Sequence, residues 1–534
     1  MSDKNKLTDD IKSKMISNTS KNIIDKFTLL LKDYDKKEII MKKIDRFIEN
    51  EMPTMIDAWE KKEEEINAIH NFKKTYISNF LNDKNTQYYF CKNPTNNVIF
   101  YIEYDKMNYN LVTFDNIRRK IIIDIQKKYS NHVFSNYKHD IAKEIIELIK
   151  NNDLFTCIPE SITIQNIINF LSPMFLKTKE EVKYFLTTIG DCIKNKNEDL
   201  VYYVPETSRE FITELELYYK DYFGRDLYNH QYKFKYRGAD YKNSRIIMFK
   251  KIIANKIIWK MFLKKYMMNF LVVSSHYSNR YTNSDTYILK QTPILIDNIY
   301  YLKNNDQIMI IDDFFYKMLN VSDNEKDTIN IKNMYFLWKL FCDGKNIPIV
   351  IYKNDFIDMI KNKIKYDEEK QLYIGIKSDC LNPARKFNRF WDDEIEHDEY
   401  HDDEYELSEI CDLFNIWLKN NDKNKNIIKE DSLKKLILYF YPKTEIKGKY
   451  IFNIQCKMWN KKRDIKNSVE NKFNKKINTD ITLLEAYKSY CSYGDKNNYI
   501  NIVSKSYFEK YINDIIPFKY LKNNMILKEY WTKK

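Results

Sequence analysis

The sequence predicts a predominantly α-helical, multidomain protein whose C-terminal half is a row of winged-helix-like α+β repeats. Three observations predict it. Apolar residues recur at helical spacing through much of the 534-residue chain. Capping-box pairs mark helix starts: Thr178 with Glu181, Thr207 with Glu210, and Thr482 with Glu485. A helix–loop–helix–strand pattern recurs after about Asp327.

From the N-terminus, Ile23, Ile24, Phe27, Leu30 and Leu31 form one helical stripe, and Pro53 marks the start of a second helix bearing Met55, Ile56 and Trp59. The period then changes to two. Tyr88–Cys91 and Val98–Tyr104 flank the turn-forming run at 93–97, which predicts a hairpin. Asp115 is a candidate cap for a helix carrying Ile117, Ile121 and Ile122. Residues 161–194 read as two helices. The helix after Thr207 carries Phe211, Leu215 and Tyr218 and stops near Gly224. Strand–helix alternation of the kind a nucleotide-binding sheet needs is missing.

In the repeats an aromatic closes a first helix and an apolar anchor sits in a second. The pairs are Trp338 to Phe356, Trp417 to Leu433 and Tyr490 to Phe508, separated by 18, 16 and 18 residues. The second helices are predicted to begin at Asn354, Asp431 and Ser506. A shift of 77 places the strand residues Tyr373 and Ile374 on Tyr450 and Ile451. The expected organisation is a helical N-terminal region (1–85), a hairpin plus helical domain (86–200) and a basic, aromatic helical domain (201–330). Repeats are expected at 331–396, 408–470 and 480–534, with an acidic linker at 397–407.

Composition narrows the functional classes. Hydrophobic residues make up 43% of the chain, enough to bury cores of several domains. The net charge of +13 favours anionic partners, nucleic acid first. Lys outnumbers Arg 78 to 11, a bias that A/T-rich codons share, so part of the charge reflects mutational pressure. The eight Cys are too scattered for zinc-finger or redox pairs. The polar start and the lack of a long apolar run point to an intracellular protein without a membrane span.

The strongest charge signal is Gln231–Tyr266, with eleven Lys or Arg and one acid, Asp240. Its first half interleaves rings and cations. Lys233, Lys235, Tyr236, Arg237, Tyr241, Lys242 and Arg245 are candidates to neutralise phosphates and stack on bases. The segment Ser274–Tyr287 adds His276, Tyr277, Arg280 and Tyr281 to the same candidate surface. The stretch Asp392–Glu406 holds ten carboxylates. His397 and His401 stand four apart within it, but Asp398 replaces the Glu of the zinc-protease pattern, so a hydrated linker is expected and no metal site. The apolar run Ile308–Asp313 lacks an upstream phosphate loop, and Ser274, Ser275 and His276 lack a nucleophile elbow. No cofactor and no enzymatic activity are expected.

Two resemblances add to this reading. Ser161–Gln165, Tyr184–Asp191 and His276–Tyr281 resemble a protein family of giant, cytoplasmically replicating DNA viruses of the mimivirus kind. That likeness implies the host cytoplasm, in a viral factory, or the virion, and brings no activity with it. Ala486, Tyr487, Tyr490, Cys491, Val503, Ser504, Lys505, Phe508 and Ile512 resemble the C-terminal winged-helix module of viral and phage-satellite helicase-primases. That likeness implies a binding module without the motor. The leading expectation is a non-enzymatic nucleic-acid-binding protein of viral replication or gene expression, contacting DNA or RNA. The alternatives are an RNA-directed scaffold that gathers viral transcription or translation factors through its repeats, and a structural virion protein.

Overall fold

A computed structural model describes residues 18–228, 231–236, 238, 241–250, 255–397, 404–421, 428–473 and 479–532, with only the backbone at 471–473 and 531–532. The protein is predominantly helical, with sheets of two or three short strands. Two compact units interleave along the chain. The first comprises Met1–Asp199, Thr207–Gln231 and Phe249–Ile296, and the second comprises Leu200–Glu206, Tyr232–Met248 and Asp297–Lys534. The segment 201–330, expected as one domain, is therefore divided between them.

In the first unit, residues 18–32 are helical, and a longer helix runs from Glu38 to Leu81. Pro53 stands in the first turn of the α-helix Met52–Leu81, as expected, but that helix does not rise from a loop. Arg46 and Met52 keep helical dihedrals and the chain passes through a π turn, Phe47–Glu51, directly into Met52–Leu81. Proline is tolerated there because its missing N–H falls where the bonding pattern already changes. The hairpin forms as Gln87–Lys92 against Ile99–Tyr104, with the Asn93 side chain accepting from the amides of Thr95 and Asn96. A third strand, Tyr109–Val112, extends it. The next helix, Phe114–Tyr129, is capped by Thr113 and not by Asp115. Ile117, Ile121 and Ile125 bury against Ile141, Ile145 and Ile149 of the helix Lys138–Ile149, and Tyr76 and Ile77 join them.

The capping box at Thr178 and Glu181 forms in both directions and opens the helix Lys179–Ile193. That helix packs along Lys256–Tyr281. At the crossing Gly190 lies so close to Ser274 that a Cβ would collide with its carbonyl oxygen. Asp191, fully buried, accepts from Ser278 Oγ at 2.6 Å and Ser284 N at 2.7 Å. The box expected at Thr207 does not form. Ser208 is the boundary residue of Arg209–Phe223, without a side-chain cap, and Thr207 Oγ1 bonds the Lys250 carbonyl. Gly224 ends that helix at φ 67°, in the left-handed region glycine tolerates.

The second unit opens on a small parallel sheet. Val201–Tyr203 is central, with Tyr232–Lys233 on one side and Ser244–Ile246 on the other. Beyond it come three modules, each a strand, two helices and a two-stranded hairpin. The helix pairs are Ile331–Lys345 with Lys353–Lys361, Leu407–Asn421 with Glu430–Phe440, and Leu483–Lys496 with Lys505–Ile515. In every copy the first strand pairs with the last, and the last with the middle one, all antiparallel.

The first helices begin at 331, 407 and 483, 76 residues apart. The buried strand residues Ile329, Tyr405 and Ile481 keep that interval. This register corrects the one expected from the aromatic landmarks. Trp338 corresponds to Phe414 and Tyr490, all buried, whereas Trp417 corresponds to Phe341, one turn later. Matching Trp to Trp displaces the second copy by about one helical turn. The anchors Phe356, Leu433 and Phe508 are fully buried as expected. Tyr373 aligns with Ile451 and Ile526, so the shift of 77 is one residue short at the strand, enough to exchange its two faces. The second helices start earlier than predicted, after Tyr352, Lys429 and Ser504, and only Ser504 caps with its side chain.

The modules are joined by aromatic and ionic pins. Phe387 and Phe390, on the helix Asn382–Glu394, pack against Phe414. Trp391 stacks on Tyr441 at 4.9 Å. Between the second and third copies, buried Lys461 pairs with Glu409 and bonds the Glu404 carbonyl. Its ammonium faces the rings of Tyr405 (4.3 Å), Trp459 (5.1 Å) and Tyr507 (4.4 Å). The expected acidic linker is partly structured: Ile395–His397 and Tyr405–Glu406 are strands, and Glu404 pairs with Lys510. Its centre, with Asp398 and His401, lies outside the described residues.

Candidate nucleic-acid interface

The first half of the basic, aromatic segment, Tyr232–Met248, is carried by the parallel sheet of the second unit, and its second half begins the helix Lys256–Tyr281 of the first. Strand propensity of Tyr232 and Ile246 places both ends of that first half beside Val201–Tyr203. Between them lie a loop, described at 234–236 and 238, and the short 3-10 turn Tyr241–Asn243. Tyr202, Tyr203 and Ile246 are buried and fix the loop's base. Val204 donates to the Lys233 carbonyl, and Ile247 donates to that of Tyr203.

Tyr236 and Tyr241 lie nearly parallel, with ring centroids 5.7 Å apart and planes at 28°. Both are half-buried; Tyr203 backs Tyr236, and the Tyr352 hydroxyl reaches the Tyr236 carbonyl. Burial, then the contact with Tyr241, raises the Tyr236 phenol above its ordinary value, so it stays neutral. Lys235 and Lys242 are exposed and Lys233 is half-buried. Arg237 lies outside the described residues.

Arg245 does not belong to this surface. It is buried, donates to the carbonyls of Lys242 and Ser244, and lies over the Tyr300 ring at 4.8 Å. It holds the end of the loop from beneath. A sequence pattern of alternating rings and cations cannot distinguish such an internal arginine from an outward one.

The second candidate cluster, in the first unit, is the last turn of Lys256–Tyr281. Tyr277 is buried and stacks on Tyr281 at 6.0 Å, and Tyr281 meets Tyr287 edge-on at 4.8 Å. Tyr277 is therefore a core ring and not a base platform. His276 is half-buried, and burial followed by neighbouring Arg280 lowers its pKa, which keeps the imidazole neutral. Arg280 is exposed and lies over the Tyr281 ring. The two candidate segments thus belong to different units. Ser274 and Ser275 donate to the Phe270 and Phe155 carbonyls, which occupies both hydroxyl protons.

Ile308–Asp313 lies in the helix Gln307–Met318, and Asp313 is taken up by Tyr301, Lys317 and Lys345. Among the described residues no group of three or more His, Cys, Asp or Glu is placed to hold a metal. Among them, too, no helix is long and apolar enough to cross a membrane.

Sequence reasoning misses two features: the loop's seating on a parallel sheet and the buried Lys461 cage. The parallel strands are two or three residues long and leave no periodic signal. Lys461 reads as one more surface lysine beside Lys462 and Arg463. No protein-family model, no curated protein and no solved structure matches this chain.

Proposed function

We propose that the protein is a non-enzymatic nucleic-acid-binding protein of viral replication or gene expression, acting in the host cytoplasm or the virion. The observation that carries this reading is the Tyr236–Tyr241 ring pair, flanked in sequence by exposed Lys235 and Lys242, in a chain of net charge +13. Rings accept a base on a face regardless of its identity, and cations meet the phosphates on either side. Single-stranded nucleic acid suits this arrangement best, since its bases are free to stack. The viral setting is supported by the resemblance at Tyr184–Asp191 and His276–Tyr281.

The test is binding of single-stranded RNA, single-stranded DNA and duplex DNA by the full chain at two salt concentrations. Lys235→Ala with Lys242→Ala should lower the salt slope for single strands by about 1.4, the share of two lost phosphate contacts. Unchanged affinity and slope would sink the assignment.

A second reading, a scaffold that collects viral transcription or translation factors, is favoured by the second helix of each module. Lys353 and Lys361 face Asp355 and Asp358 in number; Lys434 and Lys435 face Glu430 and Asp431; Lys505 and Lys510 face Glu509 and Asp514. A helix entering a duplex groove gains from net positive charge, and balanced helices suit protein surfaces better. Purification of the protein from infected cells with its associated proteins tests this reading. Recovery of a stoichiometric transcription or translation complex supports it, and recovery of nucleic acid alone counts against it.

A further inference from the structure

We propose that the exposed N-terminal helix pairs antiparallel with the same helix of a second copy of this chain. The inference is independent of nucleic-acid binding. Residues 18–66 include no buried side chain, although they are helical apart from one turn. Among the described residues the helix is anchored only beyond them. Phe72 stacks on Phe134 at 4.1 Å, and the Tyr76 hydroxyl donates to Asp124 at 2.7 Å.

The uncovered part is strongly patterned. Met52, Met55, Trp59 and Ile66 recur at intervals of three, four and seven, and are 38%, 42%, 63% and 57% exposed. Upstream of them the π turn matters. The Met52 amide bonds the Phe47 carbonyl five residues back. That one-residue insertion rotates Ile40, Ile44 and Phe47 onto the face of Met52 and Trp59. The result is one apolar seam from Ile40 to Trp59, about five helical turns, resumed at Ile66, which in water needs a cover.

Charge selects the cover. Residues 36–46 hold five cations and two acids, and residues 57–65 hold five acids and two cations. A parallel copy would set like against like. An antiparallel copy sets basic against acidic at both ends, with the Phe47–Met55 stretch at the centre. A two-fold axis requires this self-complementarity, and one helix supplies it.

The experiment is the molar mass of the full chain in solution by light scattering and sedimentation, over a dilution series. The expected mass is twice the 65.1 kDa of the chain. Met55→Glu with Trp59→Glu should raise the dimer dissociation constant about 100-fold, as loss of paired central anchors does. Lys42→Glu, Lys43→Glu and Arg46→Glu together should weaken the dimer roughly tenfold. Adding Glu60→Lys, Glu63→Lys and Glu64→Lys to that variant should restore it, because the swapped helix is again complementary to itself. All these side chains are solvent-facing, so circular dichroism and thermal unfolding should show the fold intact. A monomeric wild type, a dimer indifferent to the seam variant, or a charge swap that fails to restore pairing would each overturn the proposal. Monomers that bind only a different protein through this seam would overturn it too.

Discussion

In the third module, Ala486 and Tyr490 on one helix and Phe508 and Ile512 on the next form apolar stripes that are buried. In the N-terminal helix, Met52, Met55 and Trp59 form an equally regular stripe that is exposed. The periodicities are alike, and the difference lies in the next element along the chain. After the module helices comes a hairpin whose last strand, through Ile526, returns to pair with Ile481 and closes the core. After the N-terminal helix comes a sheet whose contacts start only near Tyr76. Helical spacing states that a face needs cover; long-range pairing decides whether the same chain provides it.

The sharpest way to break this contrast is at its two tryptophans. Trp338 is fully buried against Phe314, Phe341 and Phe356, so Trp338→Ala should cost about 3–5 kcal/mol in urea unfolding. Trp59→Ala, on the stripe the chain itself leaves uncovered, should leave the unfolding of both compact units within about 0.5 kcal/mol when measured on the monomer, at concentrations below the dimer's dissociation. Equal costs at the two sites would dissolve the distinction.

A comparable loss is expected at the ionic pin. Glu409→Ala strands the Lys461 ammonium in the interior and should cost about 3–5 kcal/mol. Lys461→Met with Glu409→Gln should recover most of that, since the rings of Tyr405, Trp459 and Tyr507 accept an apolar side chain. Thermal unfolding of the wild type and both variants measures the difference. If Glu409→Ala alone is neutral, Lys461 is solvated and the pin is not what joins the modules.

Gly190→Ala should cost about 1–3 kcal/mol by overpacking, because the Ser274 carbonyl is backbone of the facing helix and cannot move aside cheaply. Differential scanning fluorimetry reads this as a lowered Tm, and an unchanged Tm would mean that the helices separate freely.

The smallest effect is pH-dependent. Burial raises the Asp191 carboxyl above its ordinary 3.8, against the opposing donors Ser278 and Ser284. The folded value lies above the unfolded one, so this group favours folding most below pH 3.8 and that contribution is lost as pH rises through the elevated value. Stability of the wild type relative to Asp191→Asn should therefore decline with rising pH over that window. A difference that grows with pH would reverse the assignment.

The helical class, the three-fold recurrence and most of the core are legible in the residues. Thr178–Glu181 and Thr482–Glu485 form complete boxes, each closed by its own pair of side chains. Thr207 departs from the same pattern because its hydroxyl has a distant partner, the Lys250 carbonyl, which spacing cannot reveal. The repeat register is hidden because Trp417 outranks Phe414 as a landmark, although burial position and not residue type is what recurs. At the candidate site, Tyr236 and Tyr241 meet ring to ring, and Lys235 and Lys242, their neighbours in sequence, are exposed. Arg245 and Tyr277 are interior, since cation–ring and ring–ring pairs pack cores as readily as they line surfaces.

The reading of the Tyr236–Tyr241 pair and its neighbouring lysines is tested most directly by titrating labelled single-stranded RNA with wild-type protein, Tyr236→Ala, and Lys235→Ala with Lys242→Ala, each at two salt concentrations. Loss of the Tyr236 ring should weaken binding by about 1–3 kcal/mol and leave the salt slope unchanged. Loss of the two lysines should flatten the slope. Wild-type affinity and slope in both variants would contradict the account.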